Sequence, residues 1–391
     1  MAFVDRVVVV GGGIGGLAAA VSLARTRSVG HIRVLEQSDD FGEIGAGLQL
    51  APNGLHALDQ IGVSEDAVNA YGFYPRRLVL LDALSGQPIT ATDLGKEFYG
   101  HYGRRYTVLH RGDLLHLLLN AAKESGDIEL CSATSVIDAA TNGRTATIDT
   151  AEGTLYEADL VVGADGLHSM LRNKIVSEDE PILSGYVSYR GTLPFDRLAE
   201  IAGGHDVLIW CGPQMHLVQY PIRRGELYNQ VACFRSSRYS SHHDDWGTPD
   251  EIDAHYDNAC PAVRAGIAMI DRTRHWKMAD RDPVDSWAAG RLVLLGDAAH
   301  PMLQYLAQGA CQALEDAAQL GKALAEAASV DEALDAYVGA RAPRTARVQR
   351  SARLFGEFLH LDGPGAQVRN YLLRRRPSND HSESDWLHGY R

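Results

Sequence analysis

The sequence predicts an α/β protein with a discontinuous domain of parallel strands and helices, a β-rich domain inserted into it, and helices at the C-terminus. Three observations support this prediction. Apolar runs that end in a glycine cluster or in Gly and Asp recur at residues 7–16, 159–166 and 291–301. Residues 183–236 have the composition of short antiparallel strands and lack the alternation of strand and helix patterns. After residue 297 the pattern is helical as far as about residue 357.

The domain boundaries are placed where these patterns change. A chain of 391 residues is long enough for two domains with a large buried core. We expect the inserted domain to separate the apolar runs along the chain while folding brings them together. The expected segments are 1–72, 102–180 and 288–345 for the discontinuous domain, 73–101 and 181–287 for the β-rich domain, and 346–391 for a C-terminal helical segment and tail.

The first apolar run has the pattern of a dinucleotide-binding turn. Val7–Val10 predicts a strand, and a G-x-G-x-x-G sequence follows it directly before a helix of small residues. Gly11 permits the tight turn, Gly13 lets the backbone approach a pyrophosphate, and Gly16 lets the helix pack closely on the strand. The N-terminus of this helix then offers free N–H groups and a partial positive charge to the phosphates.

An acidic residue at the end of the second predicted strand adds to this pattern. Residues 32–35 form an apolar run that ends at Glu36, twenty residues after Gly16. The carboxylate is placed to accept hydrogen bonds from a ribose diol, and it would repel a 2′-phosphate. The pattern therefore favours NAD or FAD over NADP, but it does not by itself separate NAD from FAD.

Composition narrows the class of protein. A hydrophobic content of 45% and a charged content of 22% are typical of a soluble globular protein. The net charge of −13 argues against a nucleic-acid partner. Five scattered cysteines without C-x-x-C spacing predict reduced thiols. Because we find no secretory signal and no apolar run near the roughly 20 residues that span a bilayer, we expect a cytoplasmic protein without a transmembrane segment.

Taken together, the three runs resemble the motifs of the single-component (group A) FAD-dependent aromatic hydroxylases. That family has a G-x-G-x-x-G turn, a DG motif and a GD motif in this order, here Gly11–Gly16, Asp165-Gly166 and Gly296-Asp297. The resemblance covers nearly the whole chain. It implies a Rossmann-like FAD-binding domain, as in para-hydroxybenzoate hydroxylase, interrupted by a β-sheet substrate domain. It also implies bound FAD, NADH as a transient co-substrate, with NADPH as an alternative, and O2 as the oxidant.

The resemblance further implies which residues hold FAD. Asp297 matches a contact to the ribityl part, and Glu36 and Arg111 match residues that hold the adenosine ribose and the pyrophosphate region. Asp165-Gly166 matches a motif that serves both FAD and the incoming nicotinamide nucleotide. The expected cofactor-binding residues are Gly11, Gly13, Ile14, Gly16, Glu36, Arg111, Val136, Asp165, Gly166, Gly296 and Asp297.

Four further segments are similar to those family members that convert 3-hydroxybenzoate to 2,5-dihydroxybenzoate (gentisate). They are residues 212–221, 300–306, 359–363 and 385–387. The similarity implies a small aromatic acid as the substrate. Many relatives have proline at the position of Gln304, so an amide beside the expected flavin ring suggests a role in substrate or oxygen chemistry.

The substrate site is expected on the strand that residues 214–221 predict. His216, Val218 and Tyr220 would share one face of this strand, with His216 and Tyr220 about 13 Å apart. We interpret His216 as the base that removes the phenol proton with help from Gln304, because a histidine near its ordinary pKa of ~6.5 accepts a proton near neutral pH. Tyr220 is expected to orient the substrate by contacting the carboxylate of the substrate.

The rest of the site is less sharply defined by the sequence. Leu48, Leu50 and Pro301 are candidate apolar walls, although core packing fits the two leucines equally well. Residues 242–245 (His-His-Asp-Asp) have metal-ligand types, but their polar surroundings indicate a solvated loop, so we expect no metal. The aromatic C-terminal tail suggests docking and a homodimer.

Other functions remain compatible with these motifs. The same machinery could hydroxylate salicylate with decarboxylation, or hydroxylate a secondary-metabolite ring. A different class of function is a non-oxygenating flavin reductase or a ligand-binding flavoprotein.

Overall fold

The computed structural model describes residues 4–42, 45–176, 180–198, 204–240 and 245–391 of the chain. Within these ranges the strands form two large sheets and two small ones. The strands are β1 (Val4–Val10), β2 (Val29–Leu35), β3 (Gly47–Leu50), β4 (Arg77–Asp82), β5 (Pro88–Asp93), β6 (Thr107–His110), β7 (Ile128–Cys131), β8 (Val136–Thr141), β9 (Ala146–Thr150), β10 (Leu155–Ala158), β11 (Leu160–Gly163), β12 (Ile182–Pro194), β13 (Val207–Gly212), β14 (Met215–Ile222), β15 (Leu227–Arg235), β16 (His275–Asp280), β17 (Ala288–Ala289) and β18 (Leu292–Leu294).

The helices cluster between the early strands and again at the C-terminus. They are α1 (Ile14–Ala24), α2 (Pro52–Ile61), α3 (Glu65–Asn69), α4 (Lys96–Tyr102), α5 (Arg111–Glu124), α6 (Met170–Ile175), α7 (Pro249–Tyr256), α8 (Pro261–Ala268), α9 (Gly309–Glu326), α10 (Val330–Leu359), α11 (Gly363–Leu373) and α12 (Asp385–His388). Of the helices within the described ranges, none combines the length and the apolar character that crossing a bilayer requires.

The predicted α/β class is confirmed by the order and direction of the strands. A six-stranded sheet has the order β17-β18-β11-β1-β2-β7, and its strands from β18 to β7 run parallel. The three apolar runs seen in the sequence supply the adjacent strands β1, β11 and β18. Because neighbouring parallel strands end at the same edge, the glycine turn, the DG motif and the GD motif meet there.

Close packing against this sheet depends on small residues. Helix α1 begins at Ile14, directly after the turn, and its residues 18–20, all alanine, are fully buried. A side chain on Gly16 would overlap the carbonyl oxygen of Gly11. A side chain on Gly321, in α9, would overlap the hydroxyl of Ser22. These glycines therefore let α1 lie close to both the turn and α9.

The second large sheet has seven mostly antiparallel strands in the order β16-β12-β15-β14-β13-β4-β5. Alternate side chains of its central strands point to opposite faces. On one face, Tyr189, Leu217 and Phe234 pack into a core with residues of α7 and α8, among them Ile252 and Val263. The opposite face carries the side chains of β14 for which the sequence predicts a substrate site, His216, Val218 and Tyr220.

The C-terminal tail folds back onto its own chain. Tyr102 Oη donates a hydrogen bond to Asp385 Oδ1 (2.9 Å), and Arg344 Nη1 donates one to the carbonyl oxygen of Trp386 (2.9 Å). The Arg347 guanidinium lies 4.0 Å from the centre of the Trp386 ring. The aromatic residues of the tail therefore have docking partners within the same polypeptide.

Candidate active site

A cavity of about 1550 Å³ lies between the edge of the six-stranded sheet and one face of the seven-stranded sheet. Val10, Gly11 and Asp165 line it from the ends of the parallel strands. Arg190 and His216 line it from the second sheet. The carboxyl ends of parallel strands are the usual place for a nucleotide in such sheets. The cavity is thus shared between a nucleotide-type edge and a polar sheet face.

Ten of the eleven expected cofactor-binding residues line this cavity. They are Gly11, Gly13, Ile14, Glu36, Arg111, Val136, Asp165, Gly166, Gly296 and Asp297. The eleventh, Gly16, is buried beneath the turn and is not part of the lining. Its place against the Gly11 carbonyl gives it a packing role.

The turn before α1 fits a dinucleotide such as FAD. Gly13 is the N-cap of α1, and no side chain in the described ranges caps that helix, so its first N–H groups are open to an anion. Gly11 has φ +106°, and any side chain there would overlap the carbonyl oxygen of Ala164. Glu36 accepts hydrogen bonds from the Gly12 N–H (2.7 Å) and the Ser38 N–H (2.9 Å). An anion-binding helix end and a fixed carboxylate are therefore side by side.

The DG motif lies on the same edge and is held by the start of α6. Asp165 Oδ1 accepts a hydrogen bond from the Ser169 hydroxyl (2.6 Å), and its Oδ2 accepts one from the Leu171 N–H (3.2 Å). Burial raises the pKa of Asp165 above its ordinary value despite these bonds. The carboxyl group therefore has a fixed orientation in the cavity wall.

The loop that bears Asp297 is anchored from below by a buried ionic network. The Gly296 N–H donates to Asp316 Oδ2 (2.9 Å), and His300 Nε2 lies 2.5 Å from the same oxygen. Arg341 Nε donates to Asp316 Oδ1 (2.6 Å). Burial alone would raise the pKa of Asp316, but His300 and Arg341 hold it at about 2. These contacts give His300 a structural role in the loop.

On the seven-stranded sheet, three adjacent strands present aligned rows of side chains to the cavity side. The register pairs β14 with β15 and β15 with β12. The rows are His216–Cys233–Ser188, Val218–Val231–Arg190 and Tyr220–Asn229–Thr192. The structure therefore places His216, Val218 and Tyr220 on one face and adds Arg190 from β12 to the same face.

His216 forms a buried pair with His360, the C-cap residue directly after α10. His216 Nδ1 lies 2.8 Å from His360 Nε2, and the ring centres are 5.0 Å apart. Burial lowers the pKa of His216 well below its ordinary value. Burial and Arg369 lower the pKa of His360 to about 4. The expectation that His216 titrates near 6.5 was therefore wrong, because that expectation took no account of burial.

Gln304 hydrogen-bonds to Arg190 and Cys233, and no hydrogen bond joins it to His216 within the described ranges. Its Oε1 accepts a hydrogen bond from Arg190 Nη2 (2.6 Å), and its Nε2 lies 2.8 Å from Cys233 Sγ. Arg190 Nε also donates to the Ser188 hydroxyl (3.1 Å). The sequence prediction missed Arg190. An arginine near the end of the predicted strand 186–191, in a domain expected to bind an acid, was the available signal.

Tyr220 is buried in the row with Asn229 and Thr192, at the other end of this sheet face from His216. A side chain on Gly47 would come within 2.9 Å of the Tyr220 hydroxyl, so β3 passes directly over it. The Gly47 N–H donates to Asn229 Oδ1 (2.7 Å), which ties β3 to this face. Burial raises the pKa of Tyr220, and the hydroxyl therefore stays protonated at neutral pH.

The expected apolar walls are only partly in place. Leu48 lines the cavity. Leu50 and Pro301 do not: Leu50 is fully buried in the core at the end of β3, and Pro301 is buried with its carbonyl oxygen bound to Gln349. Trp386 and His388 of the tail line the cavity instead, which the sequence did not indicate. Residues 242–244 of the solvated loop lie outside the described ranges.

The chain is similar to known flavoproteins over nearly its whole length. A family model described as an FAD binding domain matches residues 5–352. The 3-hydroxybenzoate 6-hydroxylase of Polaromonas naphthalenivorans is 37% identical, over 98% of this chain and 96% of the relative. The 3-amino-4-hydroxybenzoate 2-monooxygenase of Streptomyces cremeus is 36% identical, over 98% and 95%.

The fold is also found among solved structures. Klebsiella pneumoniae HpxO complexed with FAD and uric acid superimposes with a TM-score of 0.85 at 24% identity, covering 99% of this chain and 96% of that one. At 24% identity this similarity shows that the two proteins share a fold.

Proposed function

Because the chain belongs to the family of single-component FAD-dependent aromatic hydroxylases, we propose that it hydroxylates 3-hydroxybenzoate para to the hydroxyl group, with NADH as the reductant and O2 as the oxygen donor. The product is 2,5-dihydroxybenzoate (gentisate). One observation carries the proposal: a single cavity joins the glycine turn at Gly11 and Glu36 to a sheet face with His216 and Arg190. Polar groups around an apolar floor suit a small aromatic acid.

Residues of the six-stranded sheet edge are proposed to hold FAD. The N-terminus of α1 would receive the pyrophosphate, Glu36 the adenosine ribose, and Asp297 the ribityl chain. When bound, FAD would supply the redox chemistry of a hydroxylation in which NADH is the hydride donor and O2 provides one oxygen atom to the ring and one to water. The protein's own residues orient the aromatic ring and its phenol group.

His216 is proposed to accept the phenol proton through Nε2. That atom has no hydrogen-bond partner within the described ranges, whereas Nδ1 faces His360. Since burial keeps both rings neutral near pH 7, one hydrogen is shared between His216 Nδ1 and His360 Nε2. When His216 provides that hydrogen, its Nε2 is an acceptor. Drawing the phenol proton toward Nε2 raises the electron density at the ring carbons ortho and para to the oxygen.

The division of the chain follows from these roles. We propose that residues 1–72, 102–180 and 288–345 form the FAD-binding unit, that 73–101 and 181–287 form the substrate unit, and that 346–391 close the cavity. The lining contributed by each sheet supports this division. We also propose a homodimer that acts in the cytoplasm. Exposed apolar side chains on α10 and α11 (Leu354, Val368, Tyr371 and Leu372) offer a face for the second copy, and sedimentation velocity would test it.

The reaction can be tested with a panel of hydroxybenzoates on the purified yellow holoenzyme. We expect 3-hydroxybenzoate to stimulate NADH oxidation and to give gentisate in equal amount, measured by chromatography and mass spectrometry. His216→Asn should retain FAD and lose product by about 100-fold or more, because a positioned base contributes roughly 10² to 10⁴.

Different products would support different functions. If the enzyme forms catechol from salicylate, the activity is salicylate hydroxylation and the proposal for 3-hydroxybenzoate is replaced. Turnover of 3-amino-4-hydroxybenzoate alone would favour the activity for which the Streptomyces relative is named. NADH oxidation that yields hydrogen peroxide with every phenol would favour a non-oxygenating flavoprotein.

A further inference from the structure

Arg190 is a cation in the cavity wall. It forms no ion pair with a carboxylate in the described part of the chain. Its contacts are neutral: the Ser188 hydroxyl (3.1 Å), Gln304 Oε1 (2.6 Å) and the ring of Trp276, whose centre is 5.4 Å away. A guanidinium has five N–H donors, and the two hydrogen bonds leave most of them available to a ligand. The side chain is therefore held in place without being neutralised.

The surroundings of Arg190 make this arrangement costly without an anion. Burial lowers the pKa of Arg190, and the neighbouring positive charge of Arg111 lowers it too. The nearby titratable groups Tyr220 and Cys233 are neutral at pH 7, because burial raises the pKa of each. A desolvated cation without a counter-ion is unfavourable, and a bound carboxylate relieves that cost.

The position of Arg190 on the sheet matches one edge of an aromatic acid. Arg190 lies in the middle row, with Val231 and Val218 across the two neighbouring strands. His216 lies in the neighbouring row, two strands away and two residues along the strand direction. These two offsets place the backbones of Arg190 and His216 roughly 12 Å apart. Long side chains reaching inward from both positions can meet opposite edges of one ring, with the valines as an apolar floor.

We propose that Arg190 binds the substrate carboxylate and makes the site selective for carboxylated phenols over neutral ones. The proposal rests on the proposed function, since it concerns the acid group of the same substrate. A guanidinium binds a planar carboxylate through two parallel N–H bonds, which fixes direction as well as charge. Tyr220 would then border the carboxylate as a neutral hydroxyl, and Gln304 would hold the guanidinium in position.

The test compares an anionic ligand with its neutral counterpart on the FAD-loaded enzyme. The dissociation constants of 3-hydroxybenzoate and 3-hydroxybenzamide are measured from the change in flavin absorbance, which needs no turnover. For Arg190→Gln we expect the constant for the acid to rise about 10- to 100-fold and the constant for the amide to change less than about 3-fold. Arg190→Lys should restore part of the loss, because it keeps the charge without the planar fork.

A matched control comes from Arg274, which lines the same cavity but is exposed to solvent. Arg274→Gln removes the same charge and should leave the selectivity for the acid intact. Equal weakening of acid and amide by Arg190→Gln, or no weakening of either, would overturn the inference. So would loss of FAD from that variant, since the charge would then serve the cofactor.

The two proposals fail in distinguishable ways. If the wild type hydroxylates 3-hydroxybenzoate while the Arg190 variants keep their preference for the acid, the role of Arg190 falls and the function stands. If the wild type neither binds nor hydroxylates any hydroxybenzoate, the proposed function falls and takes the role of Arg190 with it.

Discussion

The hydrogen bond between His216 and His360 couples the proposed base to a residue 144 positions away in the chain. Tyr186 stacks on His360 with ring centres 4.6 Å apart, so the pair is enclosed by aromatic rings. Enclosure keeps both imidazoles neutral, because the interior does not solvate an imidazolium. In a neutral pair a single hydrogen lies between His216 Nδ1 and His360 Nε2, and His216 Nε2 is an acceptor when His216 supplies that hydrogen.

The same burial predicts how stability depends on pH. His360 has a pKa of about 4 in the folded protein, against ~6.5 in the unfolded chain. Between these values the unfolded chain binds more protons, so stability falls as the pH drops. The contribution is fully present above about pH 6.5, and about 3 kcal/mol of it is lost near pH 4. Thermal melts of wild type and His360→Gln from neutral to acidic pH would measure it, with a smaller fall for the variant.

Protonation of Asp316 would not account for a fall in stability between pH 6.5 and 4.5. Asp316 has its pKa lowered to about 2, so its contribution is lost only below the ordinary range near 4. His116→Gln, on the exposed side of α5, serves as the control and should follow the wild type. If His360→Gln loses as much stability as the wild type between pH 6.5 and 4.5, His360 is not the group responsible.

The turn from β1 to α1 shows how one element combines a backbone conformation with a binding site. Gly11 takes a left-handed φ of +106° and touches the strand end at Ala164. Both features exclude a side chain, the first through backbone strain and the second through overlap. The turn can therefore bring its N–H groups close to a ligand only while position 11 is glycine.

Gly11→Ala is expected to abolish stable FAD binding and to destabilise the protein. The added methyl group would push the Ala164 carbonyl away and open the edge where β1 meets β11. The measurements are the flavin-to-protein absorbance ratio after gel filtration and the melting temperature. Gly339→Ala is the matched control, because a Cβ there meets nothing within 4 Å and the residue lies within α10. That control should keep FAD and gain up to about 1 kcal/mol. A yellow Gly11→Ala protein would contradict the assignment.

Elements proved easier to predict from the sequence than their contacts. The strand and helix at Val7–Ile14 follow from an apolar run and a glycine pattern, which are local signals. Arg190 faces the cavity only because β12, β15 and β14 pair in one particular register, and His360 reaches His216 only because α10 ends beside β14. Such contacts depend on tertiary packing. For the same reason the sequence left Leu50 open between a cavity wall and core packing, and the structure places it in the core at the end of β3.

For the whole molecule, the cavity between the sheets makes the ligand a structural link. Residues of the glycine turn and of the seven-stranded sheet line one continuous space. A dinucleotide that fills this space would contact both sheets, so its binding energy would stabilise both cores together.

Removal of FAD should therefore lower the stability of the entire chain. Adding FAD back at about 100 times its dissociation constant contributes about 2.7 kcal/mol, a rise of a few degrees in Tm. We expect circular dichroism and tryptophan fluorescence to shift together, since Trp287 belongs to one core and Trp246 to the other. A shift confined to one signal, or an equal shift with AMP, would show that FAD does not link the sheets.

The parallel pairing of β1 with β11 also has a consequence for synthesis on the ribosome. Strand β11 begins at Leu160, 150 residues after β1 ends at Val10, and β18 follows only at Leu292. At about 5 to 20 residues per second, the apolar edge of β1 waits roughly 8 to 30 s for its neighbour. During that interval β1 can pair with β2, but its edge toward β11 stays unpaired and open to wrong partners. Nascent chains of this protein are therefore expected to need chaperone protection until the middle of the sequence has been made.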